Sequence, residues 1–144
     1  MPPVPSPRRP DRRPSGAPAA ICEPSGRLRP LDLGRAGEAA AAELLRRRGY
    51  EVVGRGFLAR RGEIDLVCRR GGELVIVEVK TRATDAFGTP VEAVGPRKRR
   101  ALAAAASEYR LLAGWKGPIR YAVVGLLSRP DGGFDSELLE DPFE

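Results

Sequence analysis

Residues 60–80, RRGEIDLVCRRGGELVIVEVK, decide how the rest of the chain is read. Two apolar-rich runs, Glu63–Cys68 and Leu74–Val79, are joined across Gly71-Gly72. A Gly-Gly pair between such runs signals a β-hairpin, because glycine takes the positive φ that a tight turn needs. With these two glycines as the loop, Arg70 faces Glu73. Counting back from there, Asp65 faces Glu78 and Glu63 faces Lys80. All four share one face, since strand side chains alternate. Facing Cβ atoms stand only about 5 Å apart, so two opposed carboxylates should repel. Three readings follow: a bound cation, a raised pKa, or a register shifted by a longer turn.

The cation reading gives the pattern a chemical purpose. Hard ions such as Mg²⁺ or Mn²⁺ take oxygen ligands, often one or two carboxylates completed by water and a substrate phosphate. Asp65 and Glu78 supply such carboxylates. Lys80, two residues beyond Glu78, projects from the same face, where it can hold an attacking water or neutralise charge building on phosphate. The competing reading is the solvated face of an amphipathic hairpin. Val67 and Ile76 speak against it, because the register places them on that same face.

Composition narrows the partners. The 144 residues suit one domain with a single core. Overall charge is +6. The first thirty residues carry +4 and residues from Asp131 onward −6, which leaves +8 on residues 31–130. A basic middle favours a polyanionic partner such as nucleic acid. There is no histidine, which excludes Ser–His–Asp and Cys–His catalysis and His-ligated zinc. The two cysteines, Cys22 and Cys68, offer no disulfide framework and no zinc spacing, as suits a reducing cytosol. No apolar run approaches the ~20 residues of a membrane span. The expected protein is soluble and cytoplasmic, with no membrane partner.

Around the hairpin, the chain divides into three. Residues 1–30 hold nine of the fourteen prolines and read as a disordered Pro/Arg-rich tail. Residues 31–128 form the domain, and 129–144 an acidic C-terminal tail expected to fray. Within the domain, Leu33–Arg48 predicts a helix with Asp32 as N-cap, Gly49 as terminator and a packing stripe of Leu33, Ala36, Ala40, Leu44 and Leu45. Gly34 and Gly37 are poor helix formers whose use would be close approach by another backbone or a ligand. Glu38 lies at the border of the stripe, where its spacing alone reads as a solvated side chain.

Tyr50–Phe57 reads as a strand weakened by Gly54 and Gly56, and residues 81–95 as a loop. A second helix starts at Pro96, runs to about Ala113 and buries Leu102, Ala105, Ala106, Tyr109, Leu112 and Ala113. Residues 119–127, IRYAVVGLL, predict a strand buried on both faces. The expected class is therefore α/β, in the order αβββαβ, with a mixed sheet flanked by helices. Arg97, Lys98, Arg99 and Arg100 crowd the first turn of the second helix, where the macrodipole disfavours cations. An external phosphate would complete that site, with Lys80 and Arg82 adding to the same positive region. No Gly-rich phosphate loop is present. Tyr109, Trp115 and Tyr121 are too scattered in sequence for base-stacking platforms and read as packing residues.

Gly34-x-x-Gly37-Glu38, Gly62-Glu63-Ile64-Asp65-Leu66, Val77-Glu78-Val79-Lys80-Thr81-Arg82, Phe87-Gly88 and Pro96-Arg97-Lys98 occur in order. Together they make residues 34–127 resemble the YraN-like family of uncharacterised bacterial proteins. More distantly they resemble the Holliday-junction-resolvase-like branch of the PD-(D/E)xK nuclease superfamily. The resemblance implies a restriction-endonuclease-like core and a metal-dependent site built from Glu38, Asp65, Glu78 and Lys80. Asp65 and Glu78 would hold Mg²⁺ or Mn²⁺. The implied partner is nucleic acid, DNA before RNA, and branched DNA is one candidate substrate. Cutting two strands would call for two sites and hence a homodimer. Ile64 stands where the superfamily name has Pro, and Ala122 where many relatives carry Asp. The alternative is a non-catalytic nucleic-acid-binding or partner-binding module on the same fold.

Overall fold

The computed structural model describes residues 30–83 and 94–143. The element order is α1 (Pro30–Arg47), β1 (Glu51–Leu58), β2 (Glu63–Arg70), β3 (Glu73–Arg82), α2 (Pro96–Ala113), β4 (Ile119–Ser128) and β5 (Phe134–Glu140). The strands form one sheet in the order β1-β2-β3-β4-β5. Pairing is antiparallel throughout except between β3 and β4, which run parallel. Parallel neighbours need a crossover, and α2 supplies it. This is a mixed α/β fold in the expected αβββαβ order, extended by a fifth strand.

The hairpin register is the one the Gly-Gly turn predicts: Arg70 pairs with Glu73, Cys68 with Val75 and Leu66 with Val77. Only Gly71 of the two glycines takes positive φ, at 61°. Alternation along β3 then sorts the core into two layers. Val75 and Val77 join Leu66, Cys68, Ala122 and Val124 beneath Ala41, Ala42 and Leu45 of α1. Leu74 and Ile76 join Phe57, Ile64 and Val67 beneath Leu102, Ala105, Ala106 and Tyr109 of α2. One helix therefore covers each face.

Four expectations require correction. α1 begins at Pro30, so Asp32 lies within the first turn instead of capping it. Its buried stripe is Gly37, Ala41, Ala42 and Leu45, shifted round the helix from the one the leucines suggest. The cause is Gly37: a Cβ there would lie 2.1 Å from Thr81 Oγ1, so the bare glycine lets α1 settle against β3. At the end of α2, Leu112 is 54% exposed, because the packed stripe runs through Leu102, Ala106, Tyr109 and Ala113 and leaves Leu112 to one side. The acidic end does not simply fray. Residues 129–133 make a turn in which Arg129 N–H donates to the Gly133 carbonyl and Gly133 N–H to Asp131 Oδ1. β5 then pairs with β4 from Ser128–Phe134 to Ala122–Glu140. Phe134 and Leu138 pack on the α1-side core, which is apolar area enough to hold an otherwise polar edge strand. Phe87-Gly88 and most of the predicted 81–95 loop lie outside the described residues, while Thr81 and Arg82 belong to β3.

Gly37 carries a direct prediction. Gly37→Ala gains roughly 1 kcal/mol of helix propensity. It also forces α1 and β3 apart, at an overpacking cost of about 1–3 kcal/mol. Chemical denaturation should show net destabilisation, and a Gly37→Ala/Thr81→Ala pair should recover most of it.

Candidate functional site

β2 and β3 pair only as far as Leu66–Val77. Beyond that point Ile64 turns into the α2-side core while Leu66 stays in the α1-side core, so regular alternation fails at Asp65. There the side chain replaces the ladder: Val79 N–H donates to Asp65 Oδ2 at 2.8 Å. The strands splay, and the opposed residues Asp65 and Glu78 flank the opening.

Glu78 is the buried charged residue among those described, 3% exposed. It follows Leu74 and Ile76 on the α2 face, and its neighbour across β4 is Val123. Two ammonium groups reach Oε1: Lys80 Nζ at 3.6 Å from its own strand and Lys98 Nζ at 3.5 Å from the first turn of α2. Oε2 is buried with no hydrogen-bond partner. Burial first, and then the nearby Asp65 carboxylate, push the Glu78 pKa up to about 7, against the opposing pull of Lys98 and Lys80. A buried carboxylate normally has its oxygens satisfied. One with a bare oxygen beside a second carboxylate is a cation-seeking arrangement.

The second helix reaches the site through its start. Gly95 is its N-cap, Pro96 its first residue, and no acidic side chain offsets the first turn. Arg99 N–H bonds the Gly95 carbonyl at 3.0 Å. The basic run divides by orientation. Lys98 turns inward to Glu78, so it belongs to the acid site itself. Arg99 donates Nε–H to the Val94 carbonyl at 3.1 Å and lies over the Phe143 ring. Arg97 and Arg100 are exposed, and Arg82 is half-buried at the end of β3. Opposite Lys80 on β4 is Gly125, which leaves that position without a side chain. Ala122 is fully buried in the α1-side core.

Glu38 is placed differently. It follows Gly37, which packs on Thr81, so it sits half-buried at the end of β3 on the helix covering the opposite face. Among the described residues no three His, Cys, Asp or Glu side chains gather as a metal-holding group. The Asp65 carboxylate stands close enough to Glu78 to raise its pKa. The pair is of the right kind for a hard divalent ion, since it offers hard anionic oxygens, one of them orphaned.

The fold and site define a mixed α/β domain that buries one acid between two lysines where a sheet splays open. Sequence comparison places the chain in a family. Residues 37–126 match the sequence profile described as "Uncharacterised protein family UPF0102", and the chain belongs to that family. A UPF0102 protein of Symbiobacterium thermophilum is 46% identical over 112 residues, covering 77% of this chain and 95% of its own length. Another, from Clavibacter michiganensis, is 48% identical over 113 residues, covering 73% and 89%. A third, from Anaeromyxobacter dehalogenans, is 48% identical over 95 residues, covering 65% and 71%. All three are bacterial. No helix among the described residues is long and apolar enough to cross a membrane.

Proposed function

We propose that the protein is a divalent-metal-dependent nuclease acting on DNA phosphodiester bonds, with branched DNA among its substrates. The observation that carries this reading is the buried Glu78 with one orphaned oxygen, flanked by Asp65, Lys80 and Lys98. Asp65 and Glu78 would hold Mg²⁺ or Mn²⁺, whose charge, when bound, offsets that building on the phosphoryl oxygens. Lys80, 29% exposed, is placed to orient the attacking water and to take part in its proton balance. Lys98 approaches from the helix start, where backbone N–H groups already favour an anion, and would contact the scissile phosphate. Arg82, Arg97 and Arg100 add backbone attraction that weakens with salt. Glu38 would complete or orient the site from α1.

Calorimetric titration of Mn²⁺ into the full chain tests the site without relying on turnover. Binding should weaken by more than about tenfold in Asp65→Asn, since losing even an outer partner of a metal ligand has that effect. Identical isotherms for the two proteins would remove the metal from the proposal.

A further inference from the structure

On the same sheet face as Glu78 and beside α2 lies a cavity of about 610 Å³. Arg99 and Ala103 of α2 line one side, Pro118 and Ile119 the floor, and Tyr121 and Phe143 supply the rings. It adjoins the acid site through both walls. Arg99 is the next residue after Lys98, whose ammonium touches Glu78. Tyr121 is two residues before Val123, the β4 partner of Glu78. At about 3.3 Å per residue that separation is roughly 6–7 Å along the strand, the span of one extended nucleotide.

The lining chemistry is selective. The Tyr121 and Phe143 rings stand 6.3 Å apart at 52°, and the Arg99 guanidinium lies 4.7 Å from the Phe143 ring. Ala103, Pro118 and Ile119 are apolar, and Arg120 with Asp141 adds a paired donor and acceptor at 2.6 Å. Aromatic rings, a guanidinium and an edge of hydrogen-bonding groups are what an unstacked base requires. The exposed Arg97 and Arg100 give the approach the sign that a phosphate backbone needs. A base inside a duplex cannot enter without leaving its stack.

We propose that this cavity is a nucleobase subsite. It holds an unpaired base one nucleotide from the scissile phosphate and so selects single-stranded, flapped or junction DNA over continuous duplex. The inference rests on the phosphodiester reading of the Glu78 site, and its test separates the two.

The full chain is titrated, in EDTA, with a single-stranded DNA oligonucleotide carrying one 2-aminopurine, and with the same oligonucleotide fully paired. Wild type should quench the single-stranded probe and bind it tighter than the duplex. Phe143→Ala, outside every strand, should lose the quench and roughly tenfold in affinity, with the salt slope unchanged. Phe143→Trp should restore both. Tyr121→Ala, checked for folding by circular dichroism, should behave as Phe143→Ala. Equal quenching and affinity in wild type and Phe143→Ala overturn the subsite, as does the absence of single-strand binding. Quenching that survives in a wild type without any cleavage activity leaves the subsite standing and removes the nuclease reading. Cleavage of junction DNA with no quench does the reverse.

Discussion

In Asp65→Ala, divalent-dependent cleavage of DNA should fall by roughly 10³-fold, several kcal/mol of lost transition-state stabilisation. The substrates to compare are linear, nicked and four-way-junction DNAs with Mg²⁺ or Mn²⁺. Asp65 has two duties, and the choice of replacement separates them. Its Oδ2 accepts the Val79 N–H that β2 no longer pairs, and its charge faces Glu78. Alanine removes both and leaves a backbone donor without its partner, which costs about 1–3 kcal/mol of stability where water cannot replace it. Asparagine keeps an acceptor for Val79 and removes only the charge. If the carboxylate is chemical, Asp65→Asn should be nearly as inactive as Asp65→Ala while melting close to wild type. Lys80→Met should also lose rate, and Lys98→Met should raise KM more than it lowers kcat, because its assigned contact is to the phosphate. Wild type and Asp65→Ala behaving alike across the panel would end the enzymatic reading.

Metal-free protein should lose stability as pH rises from about 4.5 to about 7, and Glu78→Gln should abolish most of that loss. The sign follows from the raised pKa. The folded chain keeps the Glu78 proton up to about 7, whereas the unfolded chain releases it near 4.5. Between those values the unfolded state binds fewer protons, so stability falls with pH. Glu78 therefore favours the fold below its unfolded pKa, and that contribution has gone once pH passes its folded one. At 1.36 kcal/mol per pH unit the span corresponds to about 3 kcal/mol. The two lysine contacts keep the figure from being larger. Urea denaturation of both proteins in EDTA at pH 5 and pH 8 checks this. Glu78→Gln should be the more stable at pH 8, where the native carboxylate is ionised in a buried site. Asp65→Asn should move the wild-type decline to lower pH, since a repelling charge has been removed. An equal pH dependence in wild type and Glu78→Gln would show that Glu78 does not titrate as its surroundings dictate.

The contrast between these two carboxylates explains which parts of the site were legible in advance. A Gly-Gly turn between alternating runs specifies register, so the pairing from Arg70–Glu73 to Leu66–Val77 required only counting. The counted pairs Asp65–Glu78 and Glu63–Lys80 fall beyond the end of the ladder. Helix α2 was equally plain: Pro96 at its first position, Gly114 in the left-handed region at φ 65° after its end, and Leu102, Ala105, Ala106 and Tyr109 at helical spacing. α1 was misread because the heavy leucines suggested a stripe, whereas packing was set by where the helix could come closest. That place is Gly37 on Thr81, a contact between residues distant in sequence. β5 was missed for a related reason. FDSELLE is polar by composition, and its two inward side chains become an apolar face only when β4 offers an edge to pair with.

Local pattern, then, determined the hairpin, the class of fold, and the candidates Asp65, Glu78 and Lys80, because alternation and turn geometry act over a few residues. The tertiary structure decided the rest, because it depends on which segments meet. It ended the β2–β3 ladder at Leu66, so that Asp65 bonds a backbone amide. It turned Lys98 out of a surface basic run and onto a buried acid. It brought Gly37, the residue before Glu38, against Thr81 at the end of β3. And it brought Tyr121 beside Phe143, two rings more than twenty residues apart whose juxtaposition no spacing in the chain announces.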